Sequence, residues 1–281
     1  MPAATLIARF SATQTLPHVV SRLSALMVDR DATMKEFEEI IKIDPVLVAR
    51  LLKLINSPFY GLVHRVDSIA RAIAYLGMKN LHAIAVTQAI QPFFRDNGNA
   101  TVFSRKQLWL HCAAVAICSK MVAERIFALD GEDAYLTGIL HDFSLIIEEQ
   151  VAPSTFLTVC RNARSSGEMM AAESRLFATD HCQVGALLTR NWNMPDPIQE
   201  AIGNHHTITD DIVPQSLTGI LQMAEYLTAQ IGYTPLPEFT SEISPTLIEH
   251  IRQNNDEYMV LLEDFPEEMA KARDLYAGEG N

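Results

Sequence analysis

The sequence contains little cysteine, and the cysteines that are present lack a metal-binding or redox spacing. No two of them form a CxxC pair. A zinc ribbon and a dithiol redox motif are therefore excluded. We expect all of them to be small core residues, as free cysteines of a reducing cytosol usually are. The four positions are Cys112, Cys118, Cys160 and Cys182.

Positive charge and long apolar runs are also scarce. The chain has 22 Lys and Arg against 34 Asp and Glu, for a net charge of −12. This balance excludes a binder of nucleic acid polymers, because phosphate contacts need clustered basic residues. No apolar run approaches the roughly 18 residues of a membrane-spanning helix, and residues 1–17 lack the basic start and apolar core of a signal peptide. We expect a soluble cytoplasmic protein that does not interact with membranes.

Alternating strand patterns are absent, whereas helical periodicity runs through nearly the whole chain. Segment 16–29 spaces its apolar residues three and four apart. Thr33 and Glu36 have the spacing of a capping box, and Asp44 followed by Pro45 marks another helix start. These patterns predict an all-α protein, a helical bundle in two subdomains.

Composition breaks divide the predicted helices. The polar segment 95–104 indicates a subdomain boundary, and the proline-rich segment 233–245 indicates a second connection. Between and beyond them we predict one continuous helix over 132–149 and two acidic helices over 244–263 and 266–276. The predicted organisation is an N-terminal extension over 1–15, a helical subdomain over 16–97, a second one over 104–231, and a helical C-terminal appendage over 232–281.

Five of the nine histidines lie in or at the edge of helices with an apolar face. In the apolar segment "GILHDFSLII" a histidine and an aspartate stand side by side, and a buried carboxylate without a partner is costly. Imidazoles and carboxylates from separate helices are typical ligands of a divalent transition metal, which would offset that cost. The alternative, that each histidine is a hydrogen-bonded core or surface residue, stays open. The candidate ligands are His111, His141, Asp142, His181, His205, His206 and Glu225.

Two sets of motifs resemble known families. "LHD", with one candidate histidine upstream and three downstream, resembles the HD superfamily of metal-dependent phosphohydrolases. In the N-terminal half, "DP" at 44–45, "NS" at 56–57 and "LG" at 76–77 are similar to the pattern of the HDOD family. The spacing of "MP", "PI" and "HH" within 192–206 is similar to it as well. The resemblance covers roughly residues 16–230.

The resemblance implies a helical bundle with one or two divalent metal ions, for which Fe, Mn, Zn and Ni are candidates. By position, His111, His141 and Asp142 would hold the first ion. Glu225 would occupy the place of an aspartate in the family.

A second ion could be held by His181 and His205, with Asp142 as the bridge, and His206 could ligate it or contact a substrate. In the enzymes of this superfamily a metal-activated water attacks a phosphate ester. Asp142 would be the catalytic residue of such an enzyme, because it would bridge the ions or orient that water. HDOD proteins, in contrast, are generally regarded as regulatory relatives tied to bacterial signalling.

Two departures from the family pattern weaken the case for hydrolysis. Phosphodiesterases of the superfamily that act on cyclic dinucleotides read "HDxGK", whereas this chain reads "HDFSL", with Ser144 and Leu145. Leu145 replaces a lysine whose charge would stabilise a phosphoryl transition state. Glu225 is one methylene longer than the aspartate it replaces.

We therefore favour a signal-transduction module that acts through a protein partner or a nucleotide-like ligand. We interpret the predicted turn over 56–61 first as structural, the end of a helix. The alternative for this turn is that Phe59 and Tyr60 form a partner-facing apolar patch. The alternative to a signalling module is a metal-dependent phosphohydrolase, and a more distant one is di-iron oxidation chemistry. An open cleft over the metals would favour an enzyme, whereas a closed site packed by apolar side chains would favour the signalling module.

Overall fold

The computed structural model describes residues 1–14, 17–57, 60, 62–95 and 102–271. Within these ranges the chain is helical and contains no β-strand. An isolated parallel β-bridge joins Ser165 to Thr240. The predicted all-α fold is confirmed. None of the helices in the described part of the chain combines the length and apolar character needed to cross a membrane. All four cysteines are buried free thiols, as expected.

The first five helices lie in the N-terminal third of the chain. The predicted capping box is present, because Thr33 accepts a hydrogen bond from the backbone of Glu36 and the Glu36 side chain accepts one in return. Asp44 caps the fourth helix, with Pro45 at its first position. The helices are α1 (Ala3–Thr13), α2 (His18–Val28), α3 (Met34–Lys42), α4 (Pro45–Ile55) and α5 (Ile69–Ile90).

Helix α5 is interrupted at Gly77. Its φ of 77° lies in the left-handed region, which glycine adopts without the steric cost that a Cβ brings. The turn separates a short helix that starts after Ser68 from a longer one that starts at Met78. The second part is buried along most of its length and leads into a 3₁₀ turn, Gln91–Phe94.

Eight further helices form the part of the molecule that carries the candidate ligands. Helix α6 is buried on nearly every face and packs closely against α7. A Cβ on Gly138 would lie only 2.6 Å from the Cα of Ala116, so this glycine is what permits the close approach. The helices are α6 (Arg105–Met121), α7 (Glu132–Leu140), α8 (Phe143–Val151), α9 (Pro153–Asn162), α10 (Ser166–Phe177), α11 (His181–Asn191), α12 (Asp196–Asn204) and α13 (Leu217–Gln230).

The prediction of one continuous helix over 132–149 is wrong. The chain turns between α7 and α8, where Asp142 has φ −105° and ψ 8°. His141 supports the turn because its Nδ1 lies 2.7 Å from the Gly138 carbonyl oxygen, which it can satisfy in place of a helical N–H. Both flanking helices are buried all round, so the apolar pattern continues across the turn and does not mark it.

The C-terminal helices are α14 (Pro245–Gln253) and α15 (Asn255–Lys271). The chain breaks at Asn254 rather than before Pro266, so the two helices predicted over 244–263 and 266–276 have the wrong boundaries. Proline lacks the donor that an interior helix position uses, but the buried Tyr258 and Phe265 hold α15 in place through Pro266. The residues predicted as helical beyond 271 lie outside the described ranges.

The predicted four-part organisation stays a prediction. Most of the boundary segment 95–104 lies outside the described ranges, as does Phe59. Tyr60 is partly buried against the core. The segment predicted as an N-terminal extension contains α1, whose buried Leu6, Ile7 and Phe10 lie on the side that contacts α8 and α11.

Candidate metal centre

Five structural units bring the seven candidate ligands together. Close packing of α6 on α7 places His111 beside the α7–α8 turn that carries His141 and Asp142. Asp180 caps α11 by accepting a hydrogen bond from the backbone N–H of Gln183. This cap fixes the position of His181, the first residue of the helix. The remaining candidates lie at the end of α12 or on the inner face of α13. His205 and His206 directly follow α12, and Glu225 lies on α13.

Asp142 lies at the centre of four histidines. Its Oδ2 is 3.5 Å from the Nε2 atoms of both His111 and His141. Its Oδ1 is 3.7 Å from Nε2 of His181 and 3.6 Å from Nε2 of His205. Each carboxylate oxygen therefore faces its own pair of imidazoles, which is the arrangement of a carboxylate between two cation positions.

The opposite edges of three rings are held by backbone carbonyls. Nδ1 of His111 is 3.0 Å from the Tyr233 oxygen, and Nδ1 of His205 is 2.7 Å from the Ile202 oxygen. His141 makes the corresponding contact within its own turn. A carbonyl can only accept a hydrogen bond, so each Nδ1 carries a proton, and in its neutral form each ring presents the Nε2 lone pair to Asp142.

The fourth ring, of His181, is held by a buried carboxylate. Glu173 Oε2 accepts from Nδ1 of His181 at 2.6 Å and from its backbone N–H at 3.0 Å. Glu173 is fully buried on α10. A carboxylate behind a metal-binding histidine fixes the tautomer and makes the ring a stronger ligand.

These atoms fit a bound cation better than they fit one another. Nε2 of His111 lies 3.1 Å from Nε2 of His141, and in the neutral rings two lone pairs meet there. Asp142 Oδ1 and His181 Nε2 are buried and have no hydrogen-bond partner. The separations of 3.5–3.7 Å around Asp142 exceed a hydrogen bond but are shorter than two metal–ligand bonds laid end to end, about 4.1 Å.

The local electrostatics ionise Asp142 and divide the imidazoles into two groups. Burial would raise the pKa of Asp142, but the surrounding imidazoles, His141 first among them, hold it well below its usual range. Burial would lower the pKa values of His111, His181 and His205, but the neighbouring Asp142, Glu173 and Cys182 raise them. Burial lowers the pKa of His141 to about 3. Burial, with the neighbouring His205, also lowers the pKa of His206 well below its usual value. Metal binding requires ionised carboxylates and neutral imidazoles.

Glu225 and His206 complete the cluster at one side. Glu225 Oε2 lies 3.7 Å from Nδ1 of His206, and its Oε1 accepts from the Ser241 hydroxyl at 2.9 Å. The ligand atoms form three overlapping groups in which all members lie within 4.8 Å of one another. The groups are His111–His141–Asp142, Asp142–His181–His205–His206, and His141–His205–Glu225.

The two residues that depart from the phosphodiesterase pattern are part of the core. The Ser144 hydroxyl donates to the His181 backbone oxygen at 2.7 Å and so ties α8 to α11. Leu145 is 1% exposed and packs in the hydrophobic core. The position that would carry a phosphate-binding lysine is therefore closed by an apolar side chain.

Sequence reasoning missed the residues that support the ligands from behind. Glu173 shares the buried face of α10 with Met169, Ala172 and Phe177. A carboxylate at a helical core position is the same signal that singled out Asp142, so Glu173 could have been found. Tyr233 and Ser241 contact the cluster through a backbone oxygen and a hydroxyl, and neither contact has a sequence signal.

Comparisons with known proteins identify the family of this fold. The sequence profile of the HDOD domain matches residues 14–208. An uncharacterized protein of Treponema pallidum (strain Nichols) is 23% identical over 212 residues, which cover 73% of this chain. That match covers 40% of the relative, so the chain spans less than half of the relative's length.

Two crystal structures share the fold over nearly their whole length. An HDOD domain protein of unknown function from Geobacter sulfurreducens is 26% identical, with a TM-score of 0.66 over 94% of this chain and 97% of that one. A protein from Shewanella amazonensis SB2B, named as a proposed phosphohydrolase, is 23% identical, with a TM-score of 0.67 over 97% and 96%. The second likeness establishes the fold alone. Together with the profile match over more than half of the sequence, the comparisons show that the chain belongs to the HDOD domain family.

Proposed function

We propose that this protein is a regulatory signalling module that holds a divalent transition metal in the buried cluster and acts by binding a partner or a ligand. His111, His141 and Asp142 would hold one ion. His181 and His205 would hold a second across the Asp142 carboxylate. Fe, Mn, Zn and Ni all suit a donor set of imidazoles and carboxylates.

The observation that carries this proposal is the closure of the cluster. Asp142 is 3% exposed, and the histidine rings facing it are exposed by 1% or less. Hydrolysis needs an open coordination position and room for a phosphate ester, whereas a metal that stabilises a binding module needs neither. The buried Leu145 supports the same conclusion, because an apolar side chain takes the place of the lysine in the phosphodiesterase pattern "HDxGK".

When bound, the metal would act as a Lewis acid and would neutralise the charge of the Asp142 carboxylate. The chain contributes the orientation of the ligands. Three backbone carbonyls and Glu173 hold the imidazole protons on the outer side, which leaves the inner nitrogens free to bind. Such preorganisation lowers the cost of assembling the site.

A hydrolysis assay on protein of known metal content tests the proposal. Purified protein with its metal measured would be incubated with a generic phosphodiester, a phosphomonoester and cyclic dinucleotides. We expect bound metal and no turnover above that of the Asp142→Asn variant. Turnover that the variant abolishes would contradict the regulatory assignment.

The second candidate is a metal-dependent phosphohydrolase. It is favoured by the position of Asp142 between two imidazole pairs, which is suited to two ions that clamp a phosphate. In that case Asp142 would be the catalytic residue and would orient the attacking water. Product formation that depends on both the metal and Asp142 would establish this function in place of the first.

A further inference from the structure

A groove on the N-terminal helices lies apart from the metal cluster. It is formed by residues of α2, α3, α4, the end of α5 and the 3₁₀ turn that follows, and its volume is about 440 Å³. This volume falls within the range of about 300–1,000 Å³ that is usual for small-molecule sites. Its wall is largely apolar and includes Val19, Ile40, Leu47 and the half-buried ring of Phe93.

Two arginines, Arg22 and Arg50, also line this groove. Within the described ranges neither guanidinium has an ion pair or a hydrogen bond. Several other cations of this acidic protein are paired, for example Arg105 with Glu149 at 2.6 Å. Other arginines of the described ranges, such as the exposed Arg9 and Arg252, also lack a partner. The feature of the groove is therefore that two free guanidiniums border one apolar wall.

The groove contains one acidic side chain, Asp44. Its Oδ1 accepts from the backbone N–H groups of Val46 and Leu47, at 2.9 and 3.0 Å. Asp44 is thus engaged as a helix cap and has no ion pair with either arginine. With two guanidiniums against one carboxylate, the groove keeps a positive balance in a chain whose net charge is −12.

The chemistry of the groove selects its ligand. A guanidinium presents a planar fork of N–H donors that matches carboxylate or phosphate oxygens. A carboxylate has two oxygens and is saturated by one fork, whereas a phosphate monoester has three oxygens and a charge near −2 that two forks can share. The apolar wall with the Phe93 ring matches a flat organic body, which stacks on aromatic faces.

We infer that this groove is a binding site for an organic phosphate of mononucleotide size, with the phosphate on Arg22 and Arg50 and the base against Phe93. The inference rests on the proposed function and adds to it the class of ligand that the module binds. Phe93 packs edge-on against Phe143 at 5.6 Å between ring centroids, and Phe143 directly follows Asp142. The contact between Phe93 and Phe143 therefore connects the groove with the residue next to Asp142.

Calorimetric titration of the full chain with adenosine 5′-monophosphate tests this assignment. We expect saturable binding, with adenosine and inorganic phosphate each at least about tenfold weaker, because each lacks one half of the recognition. The double variant Arg22→Gln/Arg50→Gln should also bind at least about tenfold more weakly. The matched control is Arg9→Gln/Arg252→Gln, which removes the same charge from exposed positions outside the groove, and it should bind like the parent.

Three results would overturn the inference: no binding of the monophosphate at millimolar concentration, equal binding of adenosine, or unchanged affinity in the groove variant. Binding of hexaglutamate without binding of the monophosphate would also overturn it and would indicate an acidic peptide as the occupant. The titration is repeated on protein treated with a chelator. Ligand binding and metal content are then separate readouts, so failure of one proposal leaves the other to be judged on its own data.

Discussion

At the scale of single residues, the imidazoles around Asp142 are oriented by the groups behind them. Backbone carbonyls hold the Nδ1 protons of three rings, and Glu173 holds that of His181. In the neutral rings the four Nε2 lone pairs therefore point at one carboxylate without a proton between them. This is a costly arrangement in an empty core and a favourable one around a cation.

Replacing Glu173 by glutamine tests the role of the group behind His181. The variant keeps the shape but loses the negative charge that makes the ring a strong ligand, so metal affinity should fall about 10- to 100-fold. Competition with a chelating dye measures this affinity. Glu148→Gln is the matched control, because burial and the neighbouring Glu173 raise the pKa of Glu148 well above its usual value, and a neutral amide should therefore change little. Equal losses in both variants would contradict the assignment.

His82, which is remote from the cluster ligands in sequence, gives a pH prediction. It is buried, with Nε2 3.0 Å from the Ser24 hydroxyl, and burial lowers its pKa from 6.5 to about 4. Below pH 6.5 the unfolded chain binds a proton that the folded chain does not, so stability falls as the pH falls toward 4. The loss between pH 7 and pH 5 should be about 2 kcal/mol.

Urea unfolding of chelator-treated protein at pH 7 and pH 5 measures this loss of stability. In His82→Gln the loss of stability between pH 7 and pH 5 should be smaller than in the parent by about 2 kcal/mol. The exposed His64 serves as the control, because His64→Gln should leave the pH dependence unchanged. The same pH dependence in the parent and in His82→Gln would show that His82 is not the source of the effect.

At the scale of elements, the site depends on the turn between α7 and α8. The sequence analysis selected residues that the structure brings together, but it did not predict this turn, because apolar periodicity records burial and both helices are largely buried. The same limit applies to Pro266, where packing of Tyr258 and Phe265 outweighs a local helix-breaking signal. By contrast, the helix starts at Thr33 and Asp44 were predictable, since caps depend on neighbouring residues only.

The contact between α6 and α7 gives the prediction at this scale. In Gly138→Ala the added Cβ would meet the Ala116 backbone at 2.6 Å, so α7 must move away from α6 and His141 from His111. We expect a loss of about 1–3 kcal/mol of stability together with lower metal content, measured by urea unfolding and elemental analysis. Gly203→Ala is the control, because its Cβ would meet only the Ala186 side chain, at 3.1 Å. Full metal content in Gly138→Ala would contradict the proposed dependence of the site on this packing.

At the scale of the whole molecule, the sequence was sufficient for the fold class and the family. Helical periodicity, caps and the histidine motifs belong to local segments and are visible without the structure. What it could not provide is the set of long-range contacts, such as the reach of Tyr233 and Ser241 back to His111 and Glu225. These contacts arise only when α13 packs on α6, and no local pattern encodes them.

A metal shared by the α7–α8 turn and three further helical elements should stabilise the entire bundle. If free metal exceeds its Kd about 1,000-fold, the gain is about 4 kcal/mol, which corresponds to roughly 10 °C in Tm for a domain of this size. Calorimetry of metal-loaded and chelator-treated protein measures the difference. The Asp142→Ala variant should lack this response to the chelator, and identical Tm values for the two forms of the parent would contradict the stabilising role.

The most direct test of the account is elemental analysis of the purified protein beside its His141→Ala variant, with the exposed-site variant His64→Ala as the control. The account predicts one or two equivalents of a divalent transition metal in the parent and in His64→Ala, and a large loss in His141→Ala. Absence of metal from the parent, or equal metal in all three proteins, would contradict it.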